Sequence, residues 1–597
     1  MRNTSKTKNN ILFNLWIFFS PRRKYQLFIL IFLSIVSGVM EIVSLASIIP
    51  FLTYLLNPND IYKFKNKLIF HELLSFINSE NIILASSILL FFVIIISTLI
   101  RLITLKYSNL LASKIGIDLS VSSFRNNLND DYEIHIARNS SEMISTNTFR
   151  IEQTVAGLNS ILGIITSSTV AIFIFISLIY INFKISLITL IIFSFSYYFL
   201  AIKTKKRLTL NSGIISQSNE NSVKIVQEGF GSIKDIIINN SHEFYINKFK
   251  NIDSRLRYKQ ADNAFLSTYP KYPLESISII TIVFIALIYS TNNKINYEII
   301  TTLSVFALGG QKLLPLIQSI YFNWSSARSR IEDIKIVLRS IKYKKNREYT
   351  SIQNKSKEPK IFNKKIELRN VSFKYKENKE NTLEKINLTI NKGEKIGIIG
   401  ETGCGKSTLL DILMGLLEPS SGELLIDNKL INKKNKLLLN SWHQSIAHVP
   451  QNIYLQDISF KENIAFGSNL ENINQSSIIK AAKIANIHNL VKSTENGYDT
   501  KIGERGTKLS GGQVQRIAIA RALYKKSNIL FLDEATSALD KKTEEKILER
   551  IMSLDNELTI IIITHRLSTI SDCDRIYKVE NRKIKVLENF NPDIFNE

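Results

Sequence analysis

The run Gly400-Glu401-Thr402-Gly403-Cys404-Gly405-Lys406-Ser407-Thr408 sets glycines ahead of a lysine and two hydroxyls. That order suits phosphate binding. Glycines let backbone N–H groups curl around an anion, Lys406 adds a cation, and the Ser407 hydroxyl is a ligand for Mg²⁺. The preceding Glu394–Ile399 reads as a buried strand, and Leu409–Leu416 has helical character. The loop therefore sits where a strand feeds a helix N-terminus, whose partial charge favours anions. A second buried strand, Ile529–Leu532, runs into the acidic pair Asp533-Glu534. There Asp533 would hold Mg²⁺ through water, and Glu534 would polarise a water for attack on a γ-phosphate. A third, Ile560–Ile563, ends in Thr564-His565 and brings a histidine to the carboxyl edge of the sheet, where ligands bind. A lone histidine at a strand end is ordinarily structural; beside a phosphate loop and an acidic pair it reads as a γ-phosphate sensor.

Positioning these groups takes an α/β domain, and the chain has room for more. It is 597 residues long with 45% hydrophobic and 21% charged residues, so disorder throughout is excluded. A mean hydropathy of +0.04 conceals two unlike halves. Apolar runs that read as membrane spans lie at Leu27–Leu55, Ile82–Leu105, Val155–Ile181, Ile185–Ile202, Leu274–Tyr289 and Ile299–Phe322, the fourth and fifth short by themselves and extending into polar flanks. A wholly soluble protein is thereby ruled out. The expected fold is a polytopic α-helical membrane domain of six spans fused to an α/β P-loop nucleotide-binding domain. Its segments are a cytoplasmic N-terminal stretch with an interfacial helix at Ile11–Ser20 (1–24), the membrane domain (25–330), a linker (331–365) and the nucleotide-binding domain (366–597). Only two cysteines occur, Cys404 and Cys573, so no disulfide framework is expected.

Lysine and arginine flank the first span and follow the fourth (Arg22, Arg23, Lys24; Lys203, Lys205, Lys206, Arg207), placing the N-terminus and the soluble half in the cytoplasm. Against that pattern, Lys63, Lys65 and Lys67 fall in the first outer link, beside a possible amphipathic helix at His71–Asn78. Such loops explain much of the net charge of +24, which gives little support for nucleic acid as a partner. Two cytoplasmic excursions, Lys106–Gln153 and Lys203–Asp262, lack runs of turn residues and are expected as long projecting helices, with Gly229 and Gly231 marking a turn-back.

Leu509-Ser510-Gly511-Gly512-Gln513, ahead of Asp533, matches the signature of ATP-binding cassette (ABC) transporters. Six spans followed by one cassette resemble an exporter-type half-transporter. The resemblance implies ATP and Mg²⁺ as ligands and coupled ATP hydrolysis. By position, Tyr375 is similar to the aromatic that stacks on adenine, and Gln451 to the glutamine that contacts Mg²⁺ and senses the membrane domain. Ser537-Ala538-Leu539-Asp540 resembles the loop coupling two ATP sites, and Gly503-Glu504-Arg505-Gly506 an exporter segment that touches cytoplasmic helices. Ser510, Gly511 and Gly512 open a helix whose free N–H groups make another anion site. The resemblance has that site close over a partner's ATP, which implies a dimer, with a homodimer favoured because Glu534 and His565 both match the active pattern.

Within the expected spans, Glu41 lies about 21 Å up the first helix and Lys312 is comparably deep in the sixth. Intramembrane charges call for a partner or a wet cavity. One expectation is an ion pair that fixes packing. The other is a cavity in which Lys312, with Lys271 and Arg101, holds an anionic headgroup. The stretches Gly38–Leu45 and Gly310–Pro315 resemble bacterial lipid-linked oligosaccharide flippases of the inner membrane. A multidrug or lipid A-type exporter is the alternative, and an ATP-gated channel or regulator the alternative from another class.

Overall fold

The computed structural model describes residues 11–56, 82–292, 297–342, 361–376, 378, 380–554, 556–564, 566 and 570–587. Two compact units divide at about residue 349, with 131–133 grouped with the second. Lys63, Lys65, Lys67 and His71–Asn78 lie outside the described residues, as do His565 and most of the expected linker.

The elements described in the first unit are all helices. A short α1 (Ile11–Phe18) precedes α2 (Pro21–Leu56), α3 (Ile82–Leu128), α4 (Ile151–Ile181), α5 (Phe183–Gly231), α6 (His242–Thr268), α7 (Lys271–Asn292), α8 (Tyr297–Ser329) and α9 (Ile331–Lys342). Among the described residues, four helices are long and apolar enough to cross a membrane, those carrying the first four expected spans. Helices α7 and α8 cover the fifth and sixth. At 1.5 Å per residue α5 is about 70 Å long, more than twice a hydrocarbon core of about 30 Å. Its excess length, with α6, makes the second excursion. The chain reverses at Asn239-Asn240, where Asn240 takes φ +49°, rather than at Gly229 and Gly231, which simply close α5.

Close packing depends on small residues. A Cβ on Gly38 of α2 would meet the Phe173 ring at 2.5 Å, and one on Gly309 of α8 would meet Leu178 at 2.7 Å. In lipid, where apolar burial drives association weakly, such close approach supplies the dispersion contacts. Polar groups reinforce it: Ser160 donates to Ser326 at 3.2 Å, and Ser167 and Ser319 are 3.2 Å apart.

The expected linker 331–365 is corrected at its start. Residues 331–342 form α9, whose Ile334 and Leu338 are buried with Leu111, Ile115, Leu119 and Leu158 in one core of the helical unit. Beside them Asp333, 2% exposed, accepts a hydrogen bond from Ser216 Oγ at 2.6 Å and lies 3.9 Å from Arg150 Nε. Arg150 itself donates to Glu220 at 2.6 Å.

Among the described residues the second unit holds two sheets. An antiparallel sheet, order β2-β1-β4-β5, contains β1 (Lys365–Phe373), β2 (Leu383–Asn391), β4 (Ser421–Ile426) and β5 (Lys429–Leu430). The larger has order β10-β9-β3-β8-β7-β6, from β3 (Lys395–Ile399), β6 (Ile446–Val449), β7 (Ile529–Asp533), β8 (Thr559–Ile563), β9 (Arg575–Glu580) and β10 (Lys583–Leu587). Strands β6, β7, β8, β3 and β9 run parallel, and β8 is buried at every residue, as expected of a strand covered on both faces. Helices α10 (Lys406–Leu413), α11 (Gly511–Tyr524) and α12 (Lys541–Met552) complete the elements that carry chemistry.

Burial pushes the Asp333 carboxyl up to about 6. A raised folded-state pKa gives stability that is full below about pH 4 and lost as pH rises through about 6, at most about 3 kcal/mol here. Asp333→Asn should therefore melt higher than wild type at pH 8, with the gap closing by pH 4, in thermal unfolding of the detergent-purified protein.

Candidate nucleotide site

Strand β3 delivers the glycine loop directly to α10. Gly400, Gly403 and Gly405 take φ +149°, +86° and +106°, which side-chain-bearing residues rarely adopt. Gly400 has no room for a side chain either: a Cβ there would stand 2.4 Å from the Val579 carbonyl oxygen. Lys406, 7% exposed, turns back into the loop, its Nζ donating to Gly400 O at 2.6 Å and Glu401 O at 2.7 Å. Thr408, in the first turn of α10, meets the Tyr375 hydroxyl at 3.1 Å, and the Tyr375 ring stands edge-on to Phe373 with centroids 4.9 Å apart. Neither Cys404 nor Cys573 forms a disulfide, and Cys404 within the loop is half-buried.

Parallel pairing brings the acidic pair to the same sheet edge. Asp533 is in register with Ile563, and the Glu534 N–H donates to Ile563 O at 3.0 Å. Glu534 has φ +49°, a conformation costly for a residue with a Cβ that commonly marks functional sites. Strand β6 ends just before Pro450-Gln451, and Gln451 Nε2 donates to Glu534 Oε2 at 2.7 Å. Two residues expected to act together, 83 positions apart in sequence, thus touch. Burial, then the adjacent Glu534, raises the Asp533 carboxyl above the usual range, with Lys406 opposing. Sequence reasoning missed Asp411 in α10, whose carboxyl burial and then Asp533 push up to about 7.

The signature opens α11. The Ser510 side chain accepts from Gln513 N at 3.3 Å while Gln513 Oε1 accepts from Ser510 N at 2.8 Å, a reciprocal cap. Gly511 and Gly512 face Ala538 and Leu539, where a Cβ on Gly512 would meet Ala538 O at 3.1 Å. Among the described residues no hydrogen bond joins Leu509, Ser510, Gly511, Gly512 or Gln513 to the phosphate loop. Asp540 caps α12, accepting from Thr543 N at 3.0 Å. Also missed were Gln515, Glu544 and Arg566, which hold the 537–540 segment. A signal existed for Glu544: with Ile547, Leu548 and Ile551 it shares the buried stripe of α12.

Residues 383–537 match the family model described as ABC transporter. The cassette that these residues form belongs to the ABC transporter family. Over 219 residues it is 42% identical to "Putative multidrug export ATP-binding/permease protein YgaD" of Bacillus subtilis, covering 37% of each chain. It is 41% identical over 222 residues to "ABC transporter B family member 29, chloroplastic" of Arabidopsis thaliana, covering 37% of this chain and 34% of that one. The matched stretch thus spans little more than a third of these relatives' length. The solved structure of a bacterial Atm1-family ABC exporter with ATP bound shares the fold at TM-score 0.75 and 20% identity, over 95% of both chains.

In the helical unit, Lys312 donates to Glu41 at 2.7 Å and to Ser44 at 2.9 Å. Arg101 and Lys271 do not join them: Arg101 is exposed, and Lys271 pairs with Glu275 at 3.9 Å.

Gly400→Ala should abolish nucleotide binding, with the dissociation constant of a fluorescent ATP analogue rising more than about tenfold, since even a methyl meets backbone. An unchanged constant would show that the loop does not need this close approach.

Proposed function

We propose that this chain is one half of an ATP-driven exporter working by alternating access in a bacterial inner membrane, with its N-terminus and cassette cytoplasmic. The contact that carries the proposal is Gln451 on Glu534, at the sheet edge that also holds the phosphate loop. A carboxylate held by an amide, in a strained backbone conformation, is suited to accept a proton from attacking water.

The residues present fit the ligands. The positive-φ glycines and the inward-turned Lys406 make a cradle for phosphates. Ser407, Asp533 and the amide oxygen of Gln451 are hard oxygen donors of the kind Mg²⁺ takes, and the ion would neutralise phosphate charge. Tyr375 offers an aromatic face beside the loop for adenine. His565 is proposed as the γ-phosphate sensor. In a homodimer the N–H groups opening α11 would serve the partner's nucleotide, two ATPs would close the cassette pair, and hydrolysis would reset it.

For the cargo we propose a lipid-borne anion, a sugar on an isoprenoid pyrophosphate being the leading candidate. Support comes from Lys312, whose side chain is 34% exposed while its partner Glu41 is 7% exposed, so the lysine side chain reaches a surface that the carboxylate does not. Multidrug export is the second reading, favoured by the names of relatives matched over the cassette.

Glu534→Gln should cut ATP turnover by about 100-fold or more while retaining ATP binding; undiminished turnover would overturn the base assignment. In lipid nanodiscs, an isoprenoid pyrophosphate–sugar should stimulate the wild-type ATPase where hydrophobic drugs do not, and Lys312→Ala should remove that stimulation. Stimulation by drugs alone would favour multidrug export, and parallel loss of stability and turnover in Lys312→Ala would assign the ion pair to packing.

A further inference from the structure

The segment between β7 and α12 is gripped from two sides by residues outside the motifs. It folds as successive turns, Ser537 N donating to Glu534 O at 3.2 Å and Leu539 N to Thr536 O at 3.0 Å. From one side comes Gln515, on α11 and 5% exposed. Its Nε2 donates to Ser537 Oγ at 3.0 Å, and its Oε1 accepts from Ala538 N at 2.9 Å. A buried amide satisfied at both ends by one loop fixes that loop's place and its rotation. From the other side comes Arg566, just past β8. Its guanidinium donates to Ser537 O at 2.8 Å and Leu539 O at 3.3 Å and pairs with Glu544. Glu544 is 1% exposed and also accepts from Thr536 Oγ1 at 2.7 Å. The planar fork of arginine can take two carbonyls and a carboxylate together, which an ammonium cannot do in one fixed geometry.

Resting on the ATPase proposed above, we infer that Gln515 and Arg566 are positioning residues for turnover: they lock the 537–540 segment to the signature helix and to the end of β8, so that Glu534, three residues before it and joined to it by the Ser537 N–H, is held for its task. Neither touches the phosphate loop, so both act on the hydrolytic step rather than on nucleotide capture. Gln515 is the cleaner lever, because it is neutral and its loss leaves no buried charge. Removing Arg566 would strand Glu544, which confounds position with stability.

The test uses the full-length protein in nanodiscs and compares Gln515→Leu, Gln515→Glu and wild type, with Glu534→Gln as control. Leucine keeps the bulk and removes both bonds. Glutamate keeps both, because its oxygens accept from Ala538 N–H and from the Ser537 hydroxyl. Expected for Gln515→Leu is a kcat down about tenfold, with the dissociation constant of a fluorescent ATP analogue within about twofold of wild type, and Gln515→Glu recovering at least about half the lost rate. Wild-type turnover in Gln515→Leu overturns the inference. So does a parallel loss of binding, turnover and melting temperature, which marks a merely structural role. Should Gln515→Leu not fold, Ser537→Ala decides: a kcat lowered about threefold with unchanged binding supports the lock, and a wild-type kcat overturns it. Full turnover in Glu534→Gln would instead overturn the ATPase assignment itself, a separable failure.

Discussion

The parallel hydrogen-bond ladder through β3, β8 and β7 is the constraint on which the candidate site depends. Parallel strands all end at one edge, so three segments far apart in sequence are obliged to finish side by side. Ile396 pairs with Ile561, Leu530 with Ile560, and a slip of one residue in either pairing would turn Asp533 or the glycine loop to the wrong face. The buried isoleucines hold that register, and chemistry enters only where the ladder stops. The strained Glu534 is tolerated because its N–H still finds Ile563 O, so the departure from strand geometry leaves no backbone donor unpaired.

The helical unit solves a different problem with similar economy. Its apolar helices would slide in lipid were they not keyed by glycines against Phe173 and Leu178, by serine pairs, and by the ion pair Lys312–Glu41. That pair also accepts a contribution from Ser44, so the ammonium has two oxygen partners on a single helix.

What the sequence disclosed follows from how local each signal is. The phosphate loop, its strand and its helix are contiguous and were legible at once, as were long apolar runs. The meeting of Gln451 with Glu534 follows only from family resemblance or from the sheet, because nothing in an 83-residue separation requires it. Helix α9 falls in the expected linker although Ile334, Val337, Leu338 and Ile341 recur at helical spacing; Lys335, Arg339 and Ser340 between them, and the lysine-rich stretch that follows, hide the pattern. Gln515 and Arg566 look like surface polar residues beside stronger motifs, and only their hydrogen bonds to the 537–540 segment distinguish them. Gly229 and Gly231 suggested a reversal, yet asparagine at 240 supplies the left-handed residue. Cargo is least legible, for no spacing or periodicity in the apolar runs points to a substrate.

One joint in the helical unit has a mechanical meaning. Helices α4 and α5 are separated by Asn182 alone, extended at φ −152°, ψ 105°, with its side chain accepting from Ile185 N. A one-residue hinge has no slack. The two rods share that end as a fixed vertex, so their far ends can scissor but neither can piston along its axis past the other. Any rearrangement of this unit must therefore be angular at this corner, and because α5 is about 70 Å long, a tilt of a few degrees there becomes a displacement of several ångströms at its tip.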